Sequence, residues 1–236
     1  PTPESIAILA EDGTFSQTTA EGARSKIENT DLDLVVDQTF PSSTSDLSTN
    51  LGRVRDAGAD ILLLCAHQKH NIILANQMES QSVNVDAAMG TVGSLNESFK
   101  DEVGPNGDYM YGPSSWAVNA DFEDPVYGTT GDFVSAIEEN FDYTPDYHSA
   151  AGEAVIMTFV NAFKNVSDIT PTKGRNHIRD TEFSTVYGTV SFDDSGVINK
   201  NMLVYQWQPE PGLQITYPDN VAQSDPIYPM PDWSER

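Results

Sequence analysis

Candidate chemistry gathers in three short segments, each placed just after an apolar run. Thr14, Phe15 and Ser16 follow SIAILAEDG, His67 and Gln68 follow ILLLCA, and Thr91, Val92 and Gly93 follow VNVDAAMG. Hydroxyls, an amide and an imidazole beside an aromatic ring give a few directed hydrogen bonds next to an apolar wall, the make-up of a small-molecule binding site. Phe15 with Ser16 and His67 supplies that mixture, although Phe15 could equally close a hydrophobic layer and Gly93 could serve only a turn. His67 and His70 are spaced His-x-x-His, but no third ligand lies near them in sequence, so the pair is a weak metal signature. Catalysis would need a nucleophile beside a base, or two carboxylates in divergent surroundings, and no such spacing stands out. GTVGS has too few glycines, wrongly spaced, for a phosphate or dinucleotide loop. These residues point to binding without a cofactor, not to an enzyme.

The elements around them repeat. Residues 5–67 read as one strand–helix unit used over again: SIAILA, a polar turn and a helix over 18–28; DLDLVVDQTF, PSSTSD and the helix LSTNLGRVRDAG; then ADILLLCAH, with NIILANQM beginning the next helix. Strands alternating with helices of about a dozen residues predict an α/β fold with a parallel sheet and right-handed crossovers. Ligands in such sheets bind at the carboxyl ends of the strands, here in the expected loops at 13–16 and 67–69. Further along, VNVDAAMGTVGS reads as a strand entering a glycine turn, SLNESFKDEV as a short helix and DYMYGPSS as extended. WAVNADFEDP reads as a linker. A helix over about 131–141 puts Phe133, Val134, Ile137 and Phe141 on one face. The next, over about 148–165, is apolar nearly all round and is expected to be buried. A short helix near 175–180, strands TVYGTVSFD and MLVYQWQ, and a Pro-rich aromatic strap complete the chain.

Composition narrows the partners. Among 236 residues, 36 Asp and Glu face 12 Lys and Arg, a formal charge of −24. Such an excess repels nucleic acid and anionic membranes. It is spread through segments that read as folded, so it is no acidic tail, and it is the balance expected of a halophile. The one cysteine, Cys65, sits in an apolar strand and reads as a small buried hydrophobe. Tyr111 and Trp116 read mainly as packing residues, as do His148 and His177 as surface or helix-packing ones. Asp31, Asp33 and Asp37 alternate along a strand and are expected to face solvent. Asn96-Glu97-Ser98 and Asn165-Val166-Ser167 are glycosylation sequons, a weak pointer to an extracellular location.

In its order of segments the chain resembles the solute-binding proteins of branched-chain amino acid ABC transporters, which have the type I periplasmic-binding-protein fold. The resemblance runs from Ser5 to Trp233. SIAILAEDGTFSQTTAEGAR resembles the first strand and helix of the family's second lobe. TFPSSTSDLSTNLGRVRDAGADILLL resembles its characteristic run, with Asp46 beginning a helix and Asp60 preceding a strand. YHSAAGEAVIMTFVNAF resembles the long helix that returns to the first lobe, and STVYGTVSFDDSGVINKNMLVYQWQ the terminal hairpin and strand.

The resemblance implies a second-lobe αβα sandwich over 1–118, a helical segment returning to the first lobe over 119–182, and terminal strands and tail over 183–236. It implies that an N-terminal lobe, with any lipid anchor, lies upstream of Pro1 and covers the apolar helix at 148–165. The implied partners are a small solute and a membrane permease, and the location is extracellular, at the cell surface or periplasmic. The same fold in a signalling system would make a ligand-sensing domain. The family places aromatics at Phe15 and often at His67, and an acid in the loop near Val92 that pairs with an amino acid's ammonium group. GTVGS has no acid, which leaves urea, an amide or another small polar or aromatic solute beside amino acids.

Overall fold

Alternate residues of the first strand go to opposite faces of a sheet, and both faces are apolar. The computed structural model describes residues 1–236. In chain order, β1 (Ser5–Glu11), α1 (Thr14–Ile27), β2 (Asp33–Phe40), α2 (Ser48–Ala57), β3 (Ile61–Cys65), α3 (Gln68–Ser80), β4 (Ala87–Gly90), α4 (Glu97–Val103) and β5 (Tyr111–Ser114) alternate as expected. There follow β6 (Glu123–Asp124), β7 (Gly128–Thr129), α5 (Thr130–Phe141), α6 (Tyr147–Asn165), α7 (Pro171–Asp180), β8 (Phe183–Thr185), β9 (Gly188–Val190), β10 (Leu203–Gln208) and β11 (Gly212–Tyr217). Contacts divide the chain into two compact units, Pro1–Pro113 with Val204–Arg236, and Ser114–Leu203.

The first unit is built on a seven-stranded sheet ordered β11-β10-β5-β4-β3-β1-β2. The pairs β1–β2, β1–β3, β3–β4 and β4–β5 are parallel, and β10–β11 is antiparallel. Ala7, Leu9, Leu62 and Leu64 face one side, where Leu51 and Val54 of α2 and Leu74, Ala75 and Met78 of α3 close over them. Ile8, Ala10 and Cys65 face the other, against Ala20 and Ile27 of α1. This is the three-layer αβα arrangement. Cys65 is fully buried, and burial pushes its thiol up to about 11, consistent with packing and not reactivity. Arg24 of α1 pairs with Asp37 on β2 at 2.8 Å, so one acid of the alternating trio is engaged rather than merely solvated.

β11, which the sequence pattern did not announce, pairs with β10 at the sheet's edge. Beyond it the tail is a strap: Met230 enters the core, Trp233 Nε1 donates to the Val83 carbonyl at 2.9 Å, and the Arg236 guanidinium stacks 3.8 Å from the Trp233 ring.

Asp60 fixes the start of the sheet. Its Oδ2 accepts from the backbone N–H of Glu4 (2.8 Å) and Ser5 (2.9 Å) and from the Ser5 hydroxyl (2.9 Å), tying the head of β1 to β3. The Glu4 and Ser5 hydrogen bonds hold this carboxyl below its usual range despite some burial. Replacing Asp60 by Ala is expected to cost about 1–3 kcal/mol by leaving these donors unmet. The gap between wild type and variant, read by urea denaturation, is expected in full at neutral pH and should shrink as pH falls and Asp60 protonates in the wild type, because a depressed carboxyl stabilises only while ionised. An unchanged urea midpoint in the variant would remove this role.

In the second unit, Trp116, Ala120, Phe133, Ala150 and Val186 form the core, with Val134, Ile137 and Tyr147 packed against it. Phe141, expected on the same face of α5, is 65% exposed instead; it is the last residue of the helix, beyond the contact. WAVNADFEDP is not only linker, since β6 within it pairs with β7. TVYGTVSFD is not one strand. It folds back between β8 and β9, where Gly188 takes φ +99 and the Thr185 hydroxyl donates to its carbonyl at 2.9 Å. Nor is α6 buried all round: Ala150, Ala154, Thr158 and Ala162 face inward, whereas Val155, Ile156, Phe159 and Phe163 are about half exposed. Only its stripe of small residues meets the rest of its unit.

Candidate functional site

β1, β3 and β4 lie side by side, so their carboxyl ends deliver three turns to one edge of the sheet. The helices there start earlier than their apolar periodicity suggests. Gly13 and His67 are the extended residues that precede α1 and α3. Thr14, Phe15, Ser16 and Gln68, expected in loops, therefore sit in first helical turns, where backbone N–H groups have no partner within the helix.

The rings of Phe15 and His67 lie 5.7 Å apart, tilted by 49°. Phe15 is 48% exposed and the His67 side chain 52%. Thr14 is exposed beside them, and Gln68 and Val92 are half-buried. The other expected residues shape the edge from within. Ser16 is fully buried in the first turn of α1. The Thr91 hydroxyl accepts from the Ala66 N–H (3.0 Å) and donates to its carbonyl (2.8 Å), locking the ends of β3 and β4 together. Gly93 holds φ +78 with the Gln68 side chain packed on it; a Cβ there would come within 2.5 Å of Gln68 Cβ. Gln68 is itself engaged, donating to the Ser98 hydroxyl at 2.8 Å and accepting from Asn96 at 3.2 Å. The tip of the third turn is held by Asn71, which donates to the Val92 carbonyl at 2.7 Å, and by Trp207 Nε1, which donates to the Ser94 carbonyl at 2.9 Å.

The residue that sequence reasoning passed over is Glu11, the last of β1 and 7% exposed. Its Oε2 accepts from the His67 backbone N–H at 3.3 Å and from His67 Nδ1 at 3.1 Å, and lies 3.3 Å from His70 Nδ1. His70 is buried, its Nε2 donating to the Thr44 carbonyl at 3.0 Å and its ring edge-on to Phe40. The two histidines of His-x-x-His thus converge on one carboxylate. Burial works to raise the Glu11 carboxyl, but the hydrogen bonds from His67 and the charges of the two imidazoles outweigh it and hold the group below its usual range. The only signal in the sequence was an acid closing an otherwise apolar strand. In the second unit, a separate concavity of about 440 Å³ between Asp124, Met157, Asn161 and Phe183 involves none of these residues.

A mostly parallel sheet with helices on both faces is an αβα sandwich, and superposition on solved structures makes it the type I periplasmic-binding-protein fold. Residues 2–212 match the family described as periplasmic binding protein, and the chain belongs to that family. It is 24% identical over 230 residues to Leu/Ile/Val-binding protein homolog 7 of Brucella suis biovar 1, covering 93% of this chain and 56% of that protein. The leucine-binding protein LivK of Thermotoga maritima superposes with a TM-score of 0.77 at 16% identity, over 92% of this chain and 62% of that one. A solute-binding protein of an ABC transporter from Rhodopseudomonas palustris, in complex with 3,4-dihydroxybenzoic acid, superposes with a TM-score of 0.73 at 14% identity, over 96% and 61%. The chain thus spans a little over half the length of the relatives it matches. No helix is long and apolar enough to cross a membrane.

Proposed function

We propose that this chain carries the second lobe, with a helical segment of the first, of an extracellular receptor that captures a small solute, a branched-chain or other amino acid, an amide or a urea-like molecule, and delivers it to the permease of an ABC transporter. The observation that carries the reading is the pair of exposed rings, Phe15 and His67, at the sheet edge where α/β folds bind ligands. Thr14, Phe15, His67, Gln68 and Val92 would touch the solute directly. Ser16, Thr91 and Gly93 would contribute through the backbone and by holding the turns. The action is binding and lobe closure, not catalysis.

Two features support a partner lobe upstream. This chain covers only 56% and 62% of the length of two relatives, and α6 exposes Val155, Ile156, Phe159 and Phe163, an apolar face that such a lobe would cover. One lobe supplies about half of the solute contacts and none of the closure. Calorimetry of the 236-residue chain with L-isoleucine is therefore expected to show weak binding or none, and a protein carrying both lobes to bind tightly. Tight binding by the 236-residue chain alone would sink the two-lobe reading.

A further inference from the structure

Two Asn-x-Ser sequons remain that solute binding does not use, and the fold treats them differently. Asn96-Glu97-Ser98 is built into the framework of the third turn. Asn96 is half-buried just before α4, and Ser98 lies in the first turn of that helix. Asn96 Nδ2 donates to the Gln68 amide oxygen at 3.2 Å, and the Ser98 hydroxyl accepts from Gln68 Nε2 at 2.8 Å. Both groups that a sugar-transferring enzyme must reach are therefore held by one glutamine. Their backbone is helical, not the surface loop that a sequon needs.

Asn165-Val166-Ser167 is open. Asn165 ends α6, and Val166 after it is extended, with φ −100 and ψ 136. Asn165 is exposed, as are residues 167–170. Asn165 Nδ2 donates to the Asn161 carbonyl one turn back at 2.8 Å, a bond on the exposed surface that water or an enzyme can replace. Asn165 stands over Asn161, whose Oδ1 accepts from His177 Nε2 of α7 at 2.9 Å. At about 100° per residue, that stripe lies roughly 160° or more round the helix from Ile156 and Phe163. A lobe covering the apolar face of α6 thus leaves Asn165 free.

A second feature adjoins it. Asn165 is one of the residues lining the concavity of about 440 Å³, whose apolar part is Met157, Val160 and Phe183 and whose polar part includes Ser184. An apolar wall with a few polar groups suits a pyranose, which has apolar C–H faces and hydroxyl edges.

We propose that Asn165 Nδ2 carries an N-linked oligosaccharide, that its first sugar lies over this concavity, and that Asn96 stays bare. The proposal rests on the extracellular placement in the receptor reading and goes beyond it. The donor is a lipid-linked oligosaccharide. The Asn165 amide nitrogen bonds to C1 of the sugar, and the bond from C1 to the lipid phosphate breaks. The phosphate leaves with the electron pair, and the Nδ2 proton passes to a base of the transferring enzyme.

The test is mass spectrometry of tryptic peptides from the full-length protein of its native host, with cell-surface and cytosolic fractions kept apart. Cleavage after lysine separates the two sequons into peptides 165–173 and 70–100. Expected is an increment of whole sugar residues on 165–173 of the surface protein, and none on 70–100. Asn165→Gln and Ser167→Ala, expressed in the same host, should each abolish it. Ser167→Ala keeps the asparagine and removes only the sequon. A bare 165–173 in the surface fraction, sugar on 70–100 instead, or an increment that survives Ser167→Ala overturns the assignment and leaves the receptor reading standing. Protein found in the cytosol alone overturns both.

Discussion

Transfer from molar to dilute salt is expected to unfold this protein. The formal charge is −24, from 36 acidic against 12 basic residues. Only five Lys or Arg side chains are in ion pairs with carboxylates: Arg24–Asp37, Arg55–Asp56, Lys100–Asp108, Lys173–Asp168 and Arg179–Asp180. Of these, Arg55–Asp56 and Arg179–Asp180 join sequence neighbours and bridge nothing distant. Most carboxylates therefore repel one another without compensation, and the repulsion is greater in the folded chain than in the expanded one. Screening lengths are about 3 Å at 1 M salt and about 30 Å at 0.01 M, so dilution lets acids on every side of the molecule interact. Domains have only about 5–15 kcal/mol in reserve. Circular dichroism across a KCl series should show helical signal retained near 2 M and lost toward 0.01 M, with recovery on adding salt back. A spectrum unchanged across the series would mean the acidic surface serves solubility alone, and adaptation to high salt would lose its physical basis.

The fold was legible because its core is periodic. ILLLC and SIAILA are apolar on both faces, as a parallel strand covered by helices must be, and the helices between them carry apolar stripes. What escaped had no periodic signal. β8 and β9 were read as one strand because the turn between them depends on Gly188 at positive φ and on the Thr185 hydroxyl, not on a change of hydrophobicity. α1 and α3 start at Thr14 and Gln68 because polar first-turn residues are as good as any at a helix N-terminus, where nothing need be buried. The ring pair at the site could be placed from strand ends alone. Glu11 could not, because its importance comes from His67 and His70, 56 and 59 positions away, turning onto one of its oxygens. Spacing along the chain carried His-x-x-His; only the packing of α3 against β1 shows what the histidines face.

Replacing Glu153 by Gln is expected to stabilise the second unit, and only on the alkaline side. Glu153 lies on α6 with both carboxyl oxygens sealed from solvent and no well-formed hydrogen bond. Its polar neighbours are the Val186 backbone and the Asp124 carboxyl, whose Oδ1 accepts from Val126 and Tyr127 while Oδ2 is also sealed. Burial, reinforced by the charge of Asp124, pushes the Glu153 carboxyl up to about 7, against 4.5 in an unstructured chain. A carboxyl raised by folding favours the native state in its protonated form. That contribution is whole below pH 4.5 and is lost as pH rises through 7. Allowing for partial solvent screening, the loss between pH 5 and pH 8 is about 1–2 kcal/mol. Glutamine keeps the shape and never ionises. General relief of acidic repulsion at low pH affects wild type and variant alike, so the difference between their urea midpoints isolates this site. That difference should be near zero at pH 5 and favour Glu153→Gln by pH 8, read in high salt so that the rest of the molecule stays folded. A gap that is constant with pH would mean that Glu153 stays ionised throughout, with a solvent path through the neighbouring concavity that Asp124 lines.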